Sequence, residues 1–137
     1  MSLAGCGLRC QYCQQGAILD QCQVDGDSLD LSLWRRMDTT GARSMSFVGG
    51  NPDESLYAIL RFLTAMPADW TLPVVWNTHA YSTWQTLNLL DGVVDAYLPD
   101  FNYGDESCGR QLSLRKWYFT NAGSAIQKML ARSSSQK

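Results

Sequence analysis

Leu72-Pro73-Val74-Val75-Trp76-Asn77-Thr78 sets the fold class. Its centre, Val74-Val75-Trp76, is a continuous apolar run of the kind buried on both faces of a parallel sheet. Polar residues follow at once, as they do where a strand ends at a surface. The segments on either side alternate between the two periods. Upstream, Met45-Ser46-Phe47-Val48 reads as a short strand stopped by Gly49-Gly50. Asp53, Glu54 and Ser55 then open a helix, where acids suit the positive end of the dipole. Leu56, Ile59, Leu60 and Leu63 give that helix an apolar stripe, and Pro67 bounds it. Downstream, Ser82 is expected to cap a helix carrying Trp84, Leu87 and Leu90, closed by Gly92. Val93 to Leu98 reads as a further strand, followed by weaker helices near 106–113 and 122–132.

The pattern extends to the start of the chain. Ser28 is a candidate N-cap for a helix from about Leu29 to Thr40, with Leu29, Leu33, Trp34 and Met37 on one face and Gly41 after it. Residues 5–16 read as a polar loop, and Met1 to Ala4 as a short first strand or the stub of one. Strands alternating with helices predict an α/β fold built on a parallel sheet with right-handed crossovers. We expect one domain over 1–132 and a disordered tail over 133–137.

Composition narrows the function. The 137 residues are 45% hydrophobic and 18% charged, an ordinary globular balance. The net charge of −2 leaves no evident basic face, so nucleic acid is not an expected partner. No apolar run approaches the roughly 20 residues of a membrane span. No leader is read ahead of the cysteines, and a cytoplasmic location is expected. Five cysteines, three of them clustered, suit metal binding in a reducing compartment better than a disulfide framework. Cys22 and Cys108 read as free thiols. Trp34 and Trp84 stand at helical core spacing and are expected to pack inside.

The clustered cysteines lie in Gly5-Cys6-Gly7-Leu8-Arg9-Cys10-Gln11-Tyr12-Cys13, a C-x3-C-x2-C spacing. Three thiolates so placed can hold three irons of a [4Fe–4S] cluster, which normally takes four cysteines. One iron is then open to a ligand other than protein. A structural zinc site, with Cys22 or His79 as fourth ligand, is the alternative, although zinc ligands generally come as two separated pairs.

This run resembles the cluster loop of the radical S-adenosylmethionine (radical SAM) enzymes. Ser46-Phe47-Val48-Gly49-Gly50-Asn51-Pro52 resembles the family's glycine-rich turn after its second strand. Leu72 to Thr78 resembles the third strand, and Asp91-Gly92-Val93-Val94-Asp95-Ala96-Tyr97-Leu98-Pro99-Asp100-Phe101-Asn102-Tyr103 the fourth. Their order resembles the branch related to pyruvate formate-lyase activating enzymes. The likeness runs from about Ala4 to about Ser113, and residues after Leu114 match poorly.

The resemblance implies a partial (βα) barrel of about four βα units, a shortened or partial core. It implies a [4Fe–4S] cluster on Cys6, Cys10 and Cys13, and S-adenosylmethionine as cofactor, reductively cleaved to a 5′-deoxyadenosyl radical. It places Tyr12 against the adenine and the methionine amino group at Gly49, Gly50 and Asn51. Asn77, Thr78 and Asp100 are implied as further cofactor contacts at strand ends. An electron donor such as flavodoxin or ferredoxin is implied, with an unidentified substrate that includes the option of a partner protein receiving a glycyl radical. Two departures stand out. Asn51 replaces the acid frequent after the two glycines, and Asn102 stands where relatives often carry lysine. They keep open a degenerate domain that binds a cluster without turnover, beside the zinc-stabilised interaction module. His79 is expected to be an exposed loop residue, with a proton donor to substrate as the alternative.

Overall fold

The computed structural model describes residues 1–16, 29, 32–37 and 39–135. Four strands, β1 (Ser2–Leu3), β2 (Met45–Gly49), β3 (Val74–Thr78) and β4 (Ala96–Pro99), form one parallel sheet in the order β1-β2-β3-β4. The helices are α1 (Leu33–Arg36), α2 (Leu56–Leu63), α3 (Trp84–Leu89), α4 (Glu106–Ser113) and α5 (Tyr118–Ser135), and a 3₁₀ turn over Pro52–Ser55 leads into α2. The expected α/β class and parallel sheet are thus present. No helix among the described residues is long and apolar enough to cross a membrane.

Register explains the main core. Met45 pairs with Val74 and Phe47 with Trp76, so all four side chains share one face. Ile59, Phe62 and Leu63 of α2 and Trp34 of α1 pack on that face. The Trp34 and Phe62 rings stack at 4.3 Å, and the indole N–H donates to the Phe62 carbonyl at 3.0 Å. Only this face of β3 is fully buried. Val75 and Asn77 point the other way and are half-buried, so the expectation of burial on both faces holds for one.

Several boundaries differ from the sequence reading, each for a local reason. Backbone extension at Met37 (ψ 122°) ends α1 at Arg36, short of Thr40. The α3 cap is Thr83, whose hydroxyl accepts from the Thr86 N–H at 3.1 Å, because Ser82 is turned inward to Asp53. Trp84 is 64% exposed rather than in the core, with the Lys128 ammonium over its ring. Helix α5 starts earlier than residue 122 and runs to Ser135, into the stretch expected as tail. The cap Ser28, the thiol Cys22 and the last two residues of the tail lie outside the described residues.

A second core, Leu8, Ala80, Tyr103, Tyr118 and Ala122, fastens the N-terminal loop to α5 at one edge of the sheet. That edge is the carboxyl end of the strands.

Candidate functional site

Four loops meet at the carboxyl ends of the strands, as functional loops do in parallel α/β folds. The first is the cysteine loop after β1. Leu8, 1% exposed, is its apolar anchor. Its backbone N–H groups at Arg9 and Gln11 donate to the Ser113 and Leu112 carbonyls, at 3.0 and 2.9 Å. Those carbonyls belong to the last turn of α4, where helix acceptors lack intrahelical partners. Arg115 Nε donates to the Gly7 carbonyl. The loop is therefore held by residues 112–115, with Cys6, Cys10 and Cys13 free and partly buried.

The turn after β2 lies directly against this loop. The Gly50 N–H donates to the Leu3 carbonyl at 2.9 Å and the Asn51 N–H to the Gly5 carbonyl at 2.8 Å. Gly49 is left-handed (φ 121°), and a Cβ there would strike the Leu3 backbone. A Cβ on Gly50 would strike the Gly5 carbonyl. The close approach that the glycine pair permits is therefore, first, to the chain's own cysteine loop.

Asn51 and the end of β3 make a buried polar knot. Asn51 is 2% exposed and Thr78 1%. The Asn51 Oδ1 accepts from the Thr78 hydroxyl at 3.1 Å and from the His79 N–H at 3.3 Å. Asp53 accepts from the Trp76 indole N–H at 2.8 Å and from the Ser82 hydroxyl. His79 is 9% exposed, so the expected exposed histidine is a buried one. Its Nδ1 accepts from the Tyr81 N–H at 3.1 Å, which puts the proton of the neutral ring on Nε2. Burial lowers its pKa from 6.5 to about 4; the Asp53 carboxylate opposes that shift and Arg115 adds to it.

Two donors of this knot have no partner: Asn51 Nδ2 and His79 Nε2 are buried and unbonded. A buried polar group without a partner costs stability and marks places where a further group belongs. Both groups offer N–H, so they suit an acceptor such as a carboxylate or hydroxyl oxygen. The Asn51 oxygen already accepts two hydrogen bonds.

The loop after β4 closes the edge. Tyr103, 3% exposed, stands beside Cys10 and Tyr12, and its pKa is raised by burial and by those two neighbours. Its ring lies edge-on to Tyr118 at 4.9 Å and tilted to Tyr12 at 6.0 Å. The Tyr118 hydroxyl accepts from the Asn102 N–H at 3.0 Å and lies 3.0 and 3.1 Å from the His79 and Asp100 carbonyls. Burial pushes its pKa up to about 12.

The sequence-read residues are thus brought to one edge but not all into one site. Cys6, Cys10, Cys13, Tyr12, Gly49, Gly50, Asn51 and Thr78 are contiguous through the bonds and ring contacts above. Asn77 points to the opposite sheet face from Thr78, and the side chain of Asp100 is exposed. Asp53, Ser82, Tyr103 and Tyr118 carry no sign of a site role in the sequence. Asp53 and Ser82 read as helix openers, and nothing in the chain announces that Trp76 and Thr78 draw on the same carboxylate.

The donor set fits a cluster in kind, three thiols carried on one short loop. Burial is the main cause of a raised Cys6 pKa, and the charges of Cys10, Glu54 and Cys13 add to it, which places the three thiols within electrostatic reach of each other. Among the described residues no three such side chains are gathered closely enough to hold a metal ion. The Cys6 thiol would give up its proton on binding a metal.

No family model matches this chain. It is 34% identical over 124 residues to an uncharacterized protein of Methanocaldococcus jannaschii. The match covers 84% of this chain and 36% of that protein, so the chain spans little more than a third of its relative.

Proposed function

We propose that this chain is the cluster-bearing part of a radical SAM protein, with Cys6, Cys10 and Cys13 holding a [4Fe–4S] cluster that supplies one electron for reductive cleavage of S-adenosylmethionine. One observation carries the reading: a C-x3-C-x2-C loop leaves the carboxyl end of β1 and is bonded through Leu3 and Gly5 to a Gly-Gly-Asn turn leaving β2. The finer fold, a (βα) barrel of which these four strands form part, belongs to the same proposal. So do a glycyl-radical activating role on a partner protein, an electron donor such as flavodoxin or ferredoxin, and a cytoplasmic location.

The chain's own residues have definable tasks in this reading. Leu8 and the α4 carbonyls fix the loop. Tyr12, 56% exposed, offers a ring face at the loop's end. Asn51 Nδ2 and His79 Nε2 present donors to an acceptor oxygen of the cofactor, and the neutral His79 does so without adding charge. Asp53 and Thr78 keep Asn51 and the β3 end in register. Buried donors held by neighbours keep their geometry when a ligand arrives.

A second reading, a cluster-binding domain without turnover, is favoured by Asn51. Its amide oxygen is consumed by Thr78 and His79, so the turn after β2 supplies no anionic acceptor for an ammonium group. The two readings part on one experiment. Anaerobically reconstituted, reduced protein is examined by electron-spin resonance with and without S-adenosylmethionine, and the product is assayed for 5′-deoxyadenosine. A perturbed signal with nucleoside formation supports the first reading. Identical signals and no nucleoside support the second.

A further inference from the structure

Tyr103 carries a polar atom that the fold buries and leaves without a partner. The residue is 3% exposed, and its hydroxyl is buried with no hydrogen bond among the described residues. Such a group costs stability unless something supplies an acceptor. Tyr103 belongs to the core of Leu8, Ala80, Tyr118 and Ala122, on which Cys6 and Cys10 pack. The side chains that act on its hydroxyl are those of Cys10 and Tyr12. Tyr12 is exposed and open to water, whereas Cys10 is partly buried.

Both sides of this approach are pinned. The Tyr103 ring lies edge-on to the buried Tyr118 at 4.9 Å, and the Tyr118 hydroxyl accepts from the N–H of Asn102, the preceding residue, at 3.0 Å. On the loop, the N–H groups of Arg9 and Gln11 flank Cys10 and donate to α4 carbonyls, and the Cys10 carbonyl accepts from the Cys13 N–H at 3.1 Å. A thiol sulfur is a weak acceptor, which suits a bond not made in the metal-free chain. A thiolate is an anion, and hydrogen bonds to ions are roughly twice as strong as those between neutral groups. At neutral pH the phenol keeps its proton, so Tyr103 brings a donor.

We infer that Tyr103 is a positioning residue of the metal site, its hydroxyl donating to the Cys10 sulfur once that sulfur is a metal-bound thiolate. The inference deepens the proposed function and rests on its assignment of Cys10 as a ligand, but not on which metal the loop holds. Groups that bond to ligand atoms orient them and raise metal affinity, and hydrogen bonds to the sulfurs of a cluster set its potential. Reduction adds negative charge, so a donor at a cluster sulfur favours the reduced state.

Tyr103→Phe removes the oxygen and keeps the ring. In the metal-free chain its melting temperature is expected to match or exceed the parent's, since the lost hydroxyl was buried and unbonded. Cadmium alone is titrated anaerobically, against a competing chelator, into chains carrying Cys22→Ala and Cys108→Ala, where the loop holds the only thiols. There Tyr103→Phe is expected to weaken cadmium binding at least about tenfold. In the reconstituted iron–sulfur form it is expected to lower the equilibrium constant for one-electron reduction about tenfold, a fall of about 59 mV in potential. Tyr97→Phe is the control: it deletes another buried, unpartnered hydroxyl, on β4 against Leu87, Ala125 and Met129, and is expected to move neither quantity. Equal cadmium affinities, equal potentials, or shifts matched by Tyr97→Phe would overturn the inference. So would a metal-free melt well below the parent's, which would make the hydroxyl a structural group. A tenfold loss of cadmium affinity in a chain that takes up no iron supports the inference and refutes the proposed function. A four-iron cluster whose potential ignores Tyr103 does the reverse.

Discussion

Acidification should cost this protein stability through a single side chain. His79 is the chain's one histidine, buried with its pKa lowered to about 4 against 6.5 in the unfolded chain. Between those values the unfolded state binds a proton that the folded state refuses. Stability is therefore complete above about pH 6.5 and falls as pH drops toward 4. The full shift corresponds to about 3 kcal/mol, and the part lost between pH 7 and pH 5 to about 2 kcal/mol. Carboxylates also titrate below pH 5, so the measurement must isolate the histidine. Urea unfolding of the parent and of His79→Gln at pH 7 and pH 5 does so. The parent should lose about 2 kcal/mol more than the variant over that interval, whatever the variant's own stability at pH 7. Nitrogen NMR reports the same group directly: the one imidazole should stay neutral, with its proton on Nε2, down to pH 5. Equal losses in both proteins, or an imidazole titrating above pH 6, would refute the buried, desolvated histidine and the donor role built on it.

Two other substitutions probe the joint between the loops. Gly50→Ala should destabilise the fold by about 2 kcal/mol, because its methyl must displace the Gly5 carbonyl from the cysteine loop; a thermal melt matching the parent's would contradict the close approach. Tyr118→Phe should cost about 1–3 kcal/mol in urea unfolding, since the Asn102 N–H loses its acceptor and the His79 and Asp100 carbonyls lose a neighbouring hydroxyl. An unchanged midpoint would show that water replaces the hydroxyl.

The alternation of strand and helix was legible because short apolar runs such as Val74-Val75-Trp76 lie between polar and glycine-rich turns. The placement of candidate residues at strand ends was legible for the same reason: Gly49-Gly50 and Asn77-Thr78 interrupt apolar runs where a parallel strand must stop. What local pattern could not supply was the competition for each polar group. Ser82 has the residue type of a cap, yet Asp53 draws its hydroxyl inward and Thr83 takes over. Trp84 has the spacing of a core residue, but Lys128 on α5 covers it at the surface. His79 reads as a loop residue because the elements that bury it, α5 with Tyr118 and the Leu8 loop, lie far off in sequence. The glycine pair shows the subtlest gap. The resemblance implies a ligand at these residues, whereas in the structure a Cβ at either glycine would meet the Gly5 or Leu3 backbone.

In the proposed function Cys6, Cys10 and Cys13 act together as cluster ligands. Iron, sulfide and zinc analysis of the anaerobically reconstituted chain tests it most directly, with Cys6→Ala, Cys10→Ala, Cys13→Ala and Cys108→Ala measured beside the parent. About four irons per chain are expected in the parent and in Cys108→Ala, and loss of the cluster in each of the other three. Stoichiometric zinc with no iron, or iron retained after all three loop substitutions, would contradict it.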